Sequence, residues 1–241
     1  MCIRDSSFSR AGYGKSSRNE GRTVIDSVHD VENLLNHFGV EKFTSIGWSG
    51  GGPHCLADTT LAQNMAAISI AGVGPFNTPG LNFLEGMGPE NHEEFGAAIQ
   101  GKDSIEAWMK ANSAGTAKVT GPQIIEALGG LIGDADKKAL DAKEAESTAL
   151  TFRHALVESY YGWMDDDLAF VAPWGFELSG IDKPVELWQG DDDLMVPHSH
   201  ANWLHSKIKG STLHFIPGEG HISLAKNRKA EIINRALDYL H

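Results

Sequence analysis

A serine framed by glycines is the first feature of this sequence that could do chemistry. Residues 47–51 read GWSGG and match the pattern G-x-S-x-G, with Ser49 at its centre. A serine hydroxyl is a weak nucleophile at neutral pH, so it needs a neighbouring base that is itself oriented by a carboxylate. The pattern is meaningful only when a strand precedes it and a helix follows it. Glycines suit such a sharp turn because they lack the Cβ that would collide with close-packed backbone.

A candidate acid and a candidate base follow Ser49, each just after a segment that is typical of a strand. Asp193 lies in residues 190–197 (GDDDLMVP), and His221 ends residues 218–221 (GEGH). In open sheets with helices on both faces, catalytic groups collect at the carboxyl ends of the strands. We therefore expect Ser49, Asp193 and His221 to lie together at that end of a sheet.

Other carboxylates compete for the role of the acid. Asp191 and Asp192 adjoin Asp193 and are alternatives to it, and Glu219 is a weaker one. An acid placed earlier, after the strand that ends near residue 71, is disfavoured because residues 72–77 (GVGPFN) hold no carboxylate.

The remaining histidines and a cysteine have ordinary structural interpretations. His198, His200 and His205 fall on a predicted helix and are expected to be surface or packing residues. His54 closely follows Ser49 and is either a pocket residue or a helix-packing residue. Cys55 is expected to be a small buried hydrophobic residue.

Apolar periodicity predicts the elements that must position these residues. Short apolar runs predict strands at 43–46, 65–71, 184–190 and 212–216. Helical spacing predicts helices at 24–38, 54–63, 198–207 and 226–241. Between about 72 and 180 the pattern predicts amphipathic helices, among them 105–112, 123–132 and 145–163, and no strand. Strands that alternate with helices indicate an α/β fold with a parallel sheet.

Several motifs in a fixed order make the chain resemble the α/β-hydrolase family from Arg10 to its C-terminus. Residues 10–16 (RAGYGKS) are similar to the loop after the family's fourth strand, where proline is common at the position of Ala11. The G-x-S-x-G motif follows at the expected distance. The spacing of Asp193 before Val196-Pro197 is similar to the family's acid, and the late Gly-His pair is similar to its base.

The resemblance implies an α/β-hydrolase fold and a role for each candidate residue. That fold is a mostly parallel sheet flanked by helices, with an inserted helical cap. Ser49 would be the nucleophile, Asp193 the acid and His221 the base, and the backbone N–H of Gly50 would help to hold the oxyanion.

The resemblance also divides the chain into regions. Residues 1–76 and 181–241 would form the hydrolase core, and residues 77–180 the helical cap. Trp48, Trp163 and Trp174 are candidate substrate contacts. For aromatic residues of the cap, packing within the cap or against the core is the alternative.

The start of the chain departs from the family pattern. Residues 1–7 are similar to a translated sequencing adapter and are expected to be non-native. The family's second oxyanion donor comes from a His-Gly loop after its third strand, upstream of Arg10, and no such segment is present here. We therefore expect that the N-terminal strands are missing and that the strand beginning at Phe43 has an exposed apolar edge.

Composition limits the partners. The formal net charge is −12, which disfavours binding to nucleic acid. Two cysteines give no disulfide framework, so a cytoplasmic, reducing location is expected. No apolar run is long enough to span a membrane, and no zinc-type spacing or nucleotide-binding loop occurs.

The resemblance thus implies a serine hydrolase that acts on a carboxylic ester or related acyl compound and uses no cofactor. Hydrolysis of an amide, a peptide or a C–C bond stays open, as does cofactor-free perhydrolysis. Because Ser49 occupies the motif, relatives with an aspartate nucleophile are disfavoured. The alternatives from another class are a catalytically impaired fragment and a non-catalytic ligand-binding relative.

Overall fold

Four parallel strands form the centre of the molecule. The computed structural model describes residues 5–241, so residues 1–4 of the segment expected to be non-native lie outside the described residues. The strands are Phe43–Trp48 (β1), Asn64–Ile70 (β2), Val185–Gly190 (β3) and Thr212–Ile216 (β4). They lie side by side in the order β1-β2-β3-β4, and each neighbouring pair is parallel. The four strands predicted from the sequence are therefore confirmed.

Helices flank the sheet and fill the stretch between β2 and β3. Those next to the strands are Ser27–Phe38 (α1), Gly51–Ala57 (α2), His198–Lys207 (α9), His221–Asn227 (α10) and Lys229–Asp238 (α11). Those between β2 and β3 are Pro89–Gln100 (α3), Lys102–Thr116 (α4), Gly121–Leu128 (α5), Asp134–Ala139 (α6), Ala142–Ala155 (α7) and Tyr161–Val171 (α8). Single 3-10 turns occupy Asp58–Thr60, Gly129–Leu131 and Leu178–Gly180.

The single helix predicted over 145–163 is wrong, because the chain forms two helices there, α7 and α8. The side chain of Ser159 accepts a hydrogen bond from the backbone N–H of Tyr161 at 3.3 Å. Serine side chains that bond nearby backbone in this way compete with helical hydrogen bonding. The apolar spacing predicted one helix because it continues across residues 156–160, where the Ser159 contact favours a break.

The helix predicted over 226–241 is likewise two helices, and the first begins earlier. α10 starts at His221, and α11 follows after Arg228, whose φ of −101° and ψ of 3° are not helical. The early start depends on Asp136, whose carboxylate accepts hydrogen bonds from the first N–H groups of α10. A partner 85 residues away in the chain leaves no local signal.

Both faces of the sheet are covered, and the side chains of β2 and β3 alternate between two cores. On one face Ala67, Val185 and Leu187 pack with Leu56 of α2 and Leu204 of α9. On the other face Ile68, Ile70 and Trp188 pack with Leu224 of α10 and Ile232 of α11. Burial on both faces explains why the parallel strands read as nearly continuous apolar runs.

β1 is an edge strand of the sheet formed by residues 5–241. It pairs with β2 alone, and the side chains of Ile46 and Trp48 are 46% and 43% exposed. The expectation of an exposed apolar edge on this strand is therefore confirmed. Unpaired backbone along such an edge is available for pairing with another strand.

Residues 77–180 form helices joined by loops, and no strand occurs among them apart from an isolated bridge between Ile132 and Asp193. They contribute to two further apolar clusters, one centred on α5 and α7, which also includes Ile222 of α10, and one centred on α4 and α8. Their assignment as a cap domain stays a prediction.

No helix within residues 5–241 is both long enough and apolar enough to cross a membrane.

Candidate active site

Ser49 stands on a strained turn between β1 and α2. Its φ is +56°, which is uncommon for a residue with a Cβ. The turn is held from both sides, because the Ser49 N–H donates to the Ile70 carbonyl at 2.9 Å and the Gly52 N–H donates to the Ser49 carbonyl at 2.9 Å. The strand and helix that the motif requires are both present. Backbone strain of this kind is typical of functional sites.

Close backbone packing explains two glycines of this turn and not a third. A Cβ on Gly47 would overlap the carbonyl oxygen of Gly51, and one on Gly52 would lie 2.6 Å from the Cα of Gly72. A Cβ on Gly51 would meet nothing within 4 Å. The glycine requirement therefore falls on Gly47 and Gly52, although Gly51 is the last residue of the matched pattern.

Asp193 and His221 form a buried hydrogen-bonded pair. Oδ2 of Asp193 lies 2.9 Å from Nδ1 of His221, and the two residues are 4% and 1% exposed. An ionised carboxylate only accepts hydrogen bonds, so with a neutral ring this contact requires the proton on Nδ1 and leaves a lone pair on Nε2. A histidine in this tautomer can act as a general base through Nε2.

Three further donors fix the Asp193 carboxylate. Oδ1 accepts from the backbone N–H groups of Met195 and Val196 at 2.9 and 2.8 Å. Oδ2 also accepts from the side-chain amide of Gln189 at 3.2 Å. The carboxylate thus has a partner for each oxygen and cannot easily rotate away from His221.

The rival carboxylates are engaged elsewhere. Asp191 accepts from the Gly218 N–H at 2.7 Å, and Asp192 accepts from the Ala135 N–H at 3.0 Å. Glu219 accepts from the side chain of Asn227. Only Asp193 of these four contacts His221.

Trp48 connects the turn that carries Ser49 to the helix that carries His221. Its indole N–H donates to the carbonyl oxygen of His221 at 3.1 Å, and the two ring centroids are 5.2 Å apart. Within residues 5–241 no hydrogen bond joins the Ser49 hydroxyl to the His221 ring. Catalytic hydrogen bonds are often long without substrate and tighten in the complex.

Gly50 lies at the beginning of α2, where a backbone N–H has no partner within the helix. It also lies against α8, because a Cβ at this position would meet the Phe170 ring at 3.0 Å. The predicted oxyanion donor is therefore next to Ser49 and beside the Phe170 ring.

The other two candidate tryptophans, Trp163 and Trp174, pack against other side chains of the protein. The Trp163 indole N–H donates to Glu94 at 2.5 Å, and its ring meets Trp108 edge to face. Trp174 is 4% exposed, in the core that also contains Phe170. Their role as substrate contacts stays a prediction.

His54 is a packing residue of α2. Its Nδ1 lies 2.9 Å from the hydroxyl of Ser27, and its Nε2 lies 3.2 Å from Asp166 of α8. Burial is the main cause that lowers the pKa of His54, and the contact with Asp166 opposes it. This ring stays neutral near pH 7, and it links the sheet side of the molecule to α8.

Asp166 is the centre of a buried charge cluster that sequence reasoning missed. It accepts hydrogen bonds from Arg10, Tyr13 and Arg22 in addition to His54. Burial alone would raise the pKa of Asp166, but the Arg10 charge and the His54 contact hold it well below its usual range. The signal that was available is the run of three aspartates at 165–167 within an otherwise apolar helix.

The charge cluster gives the segment over residues 10–16 a structural role. Arg10 and Tyr13 reach Asp166, and Arg18 donates two hydrogen bonds of 2.8 Å to Asp165. The loop therefore anchors α8, and α8 in turn places Phe170 beside Gly50.

Comparison with solved structures identifies the architecture. A bromoperoxidase from Bacillus anthracis superposes with a TM-score of 0.65 at 20% identity, covering 96% of this chain and 79% of that one. An esterase from Thermogutta terrifontis gives 0.63 at 17% identity, with 96% and 78% coverage. An alpha/beta hydrolase fold protein from Nakamurella multipartita gives 0.60 at 20% identity, with 96% and 80% coverage.

No protein-family model and no curated protein sequence matches the chain. Similarity of backbone at these identities establishes architecture and leaves the reaction open. The parallel sheet, the strained turn and the superpositions agree with one another, and the chain has the α/β-hydrolase fold.

Proposed function

We propose that this chain is a serine hydrolase that cleaves a carboxylic ester or related acyl substrate through Ser49, His221 and Asp193. The observation that carries the proposal is the buried Asp193–His221 pair, which Trp48 connects to the strained turn bearing Ser49. A buried carboxylate that holds the Nδ1 proton of a histidine is the arrangement that makes Nε2 a base.

The geometry supports an acyl-transfer mechanism in two halves. In the first, Nε2 of His221 takes the Ser49 proton while Oγ attacks the carbonyl carbon, and His221 then gives that proton to the departing alcohol. In the second, His221 activates water, which releases the acid from the acyl-enzyme. Asp193 stabilises the charged imidazole in both halves, and the Gly50 N–H helps to hold the oxyanion.

The ester preference is the finer part of the proposal. One superposed structure is described as a thermophilic esterase, which favours this bond type. We propose a small-molecule substrate that contacts Trp48, which is 43% exposed and adjacent to Ser49, and we retain Trp163 and Trp174 as candidate contacts. Residues 77–180 would form the cap over this substrate, and the location would be the reducing cytoplasm.

A panel of p-nitrophenyl esters of increasing acyl length, with the matching p-nitroanilides, tests this function. The expected result is release of p-nitrophenolate by the unaltered chain and by Ser206→Ala, which replaces an exposed serine. Ser49→Ala should lose several orders of magnitude in kcat. Equal rates for Ser49→Ala and Ser206→Ala would contradict the proposal. Faster cleavage of the anilides than of the esters would show that the preferred bond is an amide.

A non-catalytic ligand-binding relative is the second candidate. The observation that favours it is the lack of a hydrogen bond between Ser49 and His221 within residues 5–241. In that case the panel would give no turnover, while titration calorimetry with a non-hydrolysable ketone analogue of the ester would still show binding.

A further inference from the structure

The first turn of α10 is held by a carboxylate from the helical stretch between β2 and β3. Oδ2 of Asp136 accepts the backbone N–H of His221 at 3.0 Å, and Oδ1 accepts those of Ile222 and Ser223 at 2.8 Å each. Asp136 is fully buried. Three N–H groups that the helix cannot satisfy itself are therefore all bound to one side chain.

This contact is strong for its kind. Hydrogen bonds to an ionised acceptor are about twice as strong as neutral ones, and a negative group at a helix N-terminus gains further from the helix dipole. Burial raises the pKa of Asp136, and the three N–H donors and the nearby His221 partly oppose that rise.

The backbone of His221 is held at both its N–H group and its carbonyl group. Asp136 binds its N–H, and the Trp48 indole binds its carbonyl oxygen. The ring is held separately by Asp193. With backbone and ring both fixed, the direction of Nε2 is determined.

The segment that carries Asp136 also contacts the loop that carries Asp193. Ile132 forms an isolated antiparallel bridge with Asp193, and the Ala135 N–H donates to Asp192 at 3.0 Å. A Cβ on Gly133 would collide with the Asp192 carboxylate. Residues 132–136 therefore bind both the acid loop and the start of α10.

A second close approach shows how tightly this contact is packed. A Cβ on Gly220, the residue before His221, would lie 2.5 Å from Oδ1 of Asp136. Glycine is therefore required at position 220 for a steric reason, since a side chain there would keep the Asp136 carboxylate from the N–H groups of α10.

We propose that Asp136 is a positioning residue for His221, through which residues 132–136 set the base in register with Asp193. The inference rests on the proposed function of the triad and adds to it a residue outside the predicted hydrolase core. Asp136 does not touch the reacting atoms, and its effect passes through the backbone of His221.

Asp136→Asn tests the claim at constant size. An amide keeps one oxygen for Ile222 and Ser223 but turns an NH₂ toward the N–H of His221, so that contact alone is lost. The matched control is Asp134→Asn, an exposed aspartate two residues earlier on the same helix. The first readout is the downfield proton resonance of the His221 Nδ1–H, followed by NMR in the full chain and assigned by its loss in His221→Gln.

The expected result is a shifted or broadened resonance in Asp136→Asn and an unchanged one in Asp134→Asn. With the best ester of the panel, kcat should fall by up to about 10²-fold, the size of effect that a misplaced catalytic group produces. KM should hardly change, because Asp136 is not a substrate contact. An unchanged resonance together with unchanged kcat would show that Asp136 is only a helix cap and would overturn the inference.

A variant nearer the surface covers the case in which Asp136→Asn does not fold. Asp192→Asn weakens the hydrogen bond from Ala135 and so loosens residues 132–136, while its own side chain is only half-buried. A change in the His221 resonance supports the inference, and an unchanged resonance overturns it. If the unaltered chain hydrolyses nothing, the proposed function fails, and the resonance still decides the role of Asp136.

Discussion

Three consecutive aspartates after β3 have three different partners. Asp191 holds the loop at Gly218, Asp192 holds the start of α6, and Asp193 holds His221. Side chains of the same type, on adjacent residues, differ in function because the turn points each one in a different direction. Under the proposed function we therefore expect the reaction to depend on the Asp193 carboxylate, and we expect replacement of Asp191 to cost much less.

Asp193→Asn and Asp191→Asn separate these roles. An amide at position 193 can donate to His221 Nδ1 and so favours the tautomer whose Nε2 carries the proton, which is useless as a base. Loss of about 10⁴-fold in kcat is expected for Asp193→Asn, and little change for Asp191→Asn. Initial rates of ester hydrolysis measure both, and similar losses in the two variants would refute the assignment of Asp193 as the acid.

At the level of elements, the turn between β1 and α2 is tight because helix and strand backbones touch. The Gly52 Cα is packed against Gly72, which follows β2, while Gly51 faces open space. The motif pattern and the steric demand therefore differ by one residue.

Gly51→Ala and Gly52→Ala test this difference. Urea unfolding should show that Gly52→Ala lowers the free energy of unfolding by about 1–3 kcal/mol, the usual cost of overpacking. Gly51→Ala should leave it unchanged or slightly higher, since a helical glycine is less favourable than alanine. Greater destabilisation by Gly51→Ala would show that the close approach lies at the motif glycine instead.

The contact between α3 and α8 contains two carboxyl groups, Glu94 on α3 and Asp167 on α8, and the pKa of each is raised above its ordinary value. Burial, and then the charge of Glu94, raise the pKa of Asp167 well above its ordinary value. Asp166 raises it further, and Arg22 partly opposes the rise. The folded state thus keeps a proton that the unfolded chain releases above about pH 4.

Asp167→Asn should remove a pH dependence of stability. A raised folded pKa contributes stability that is complete below the unfolded pKa and is lost as pH rises, by about 1.4 kcal/mol per unit between the two values. In urea unfolding, the free energy of unfolding of Asp167→Asn should therefore rise relative to that of the unaltered chain from pH 4 upward. The exposed control Asp103→Asn should show no such rise. A constant difference across pH would contradict the raised pKa of Asp167 in the folded state.

At the scale of the whole molecule, the features that were predictable are those encoded locally. The four strands and the turn at Ser49 follow from apolar runs and a short motif, and the pairing of Asp193 with His221 follows from the resemblance to the α/β-hydrolase family. Helix ends were less predictable where a single polar group decides them, as Ser159 does before α8.

Contacts between distant segments gave no signal in the sequence. Asp166 meets Arg10 across 156 residues, and Asp136 meets His221 across 85. A charged residue in a helix reads as a solvated one unless its partner is known, so both aspartates were overlooked. Both contacts help to join the helical stretch between β2 and β3 to the rest of the molecule.

Fluorophosphonate labelling of the native chain tests the central claim most directly. The Ser49 oxygen should bond to phosphorus with loss of fluoride, and peptide mass spectrometry should locate the adduct on Ser49. Heat-denatured chain and Ser49→Ala should not react, while Ser206→Ala should react like the unaltered protein. An unlabelled native chain, or a label on another serine, would contradict the assignment of Ser49 as an activated nucleophile.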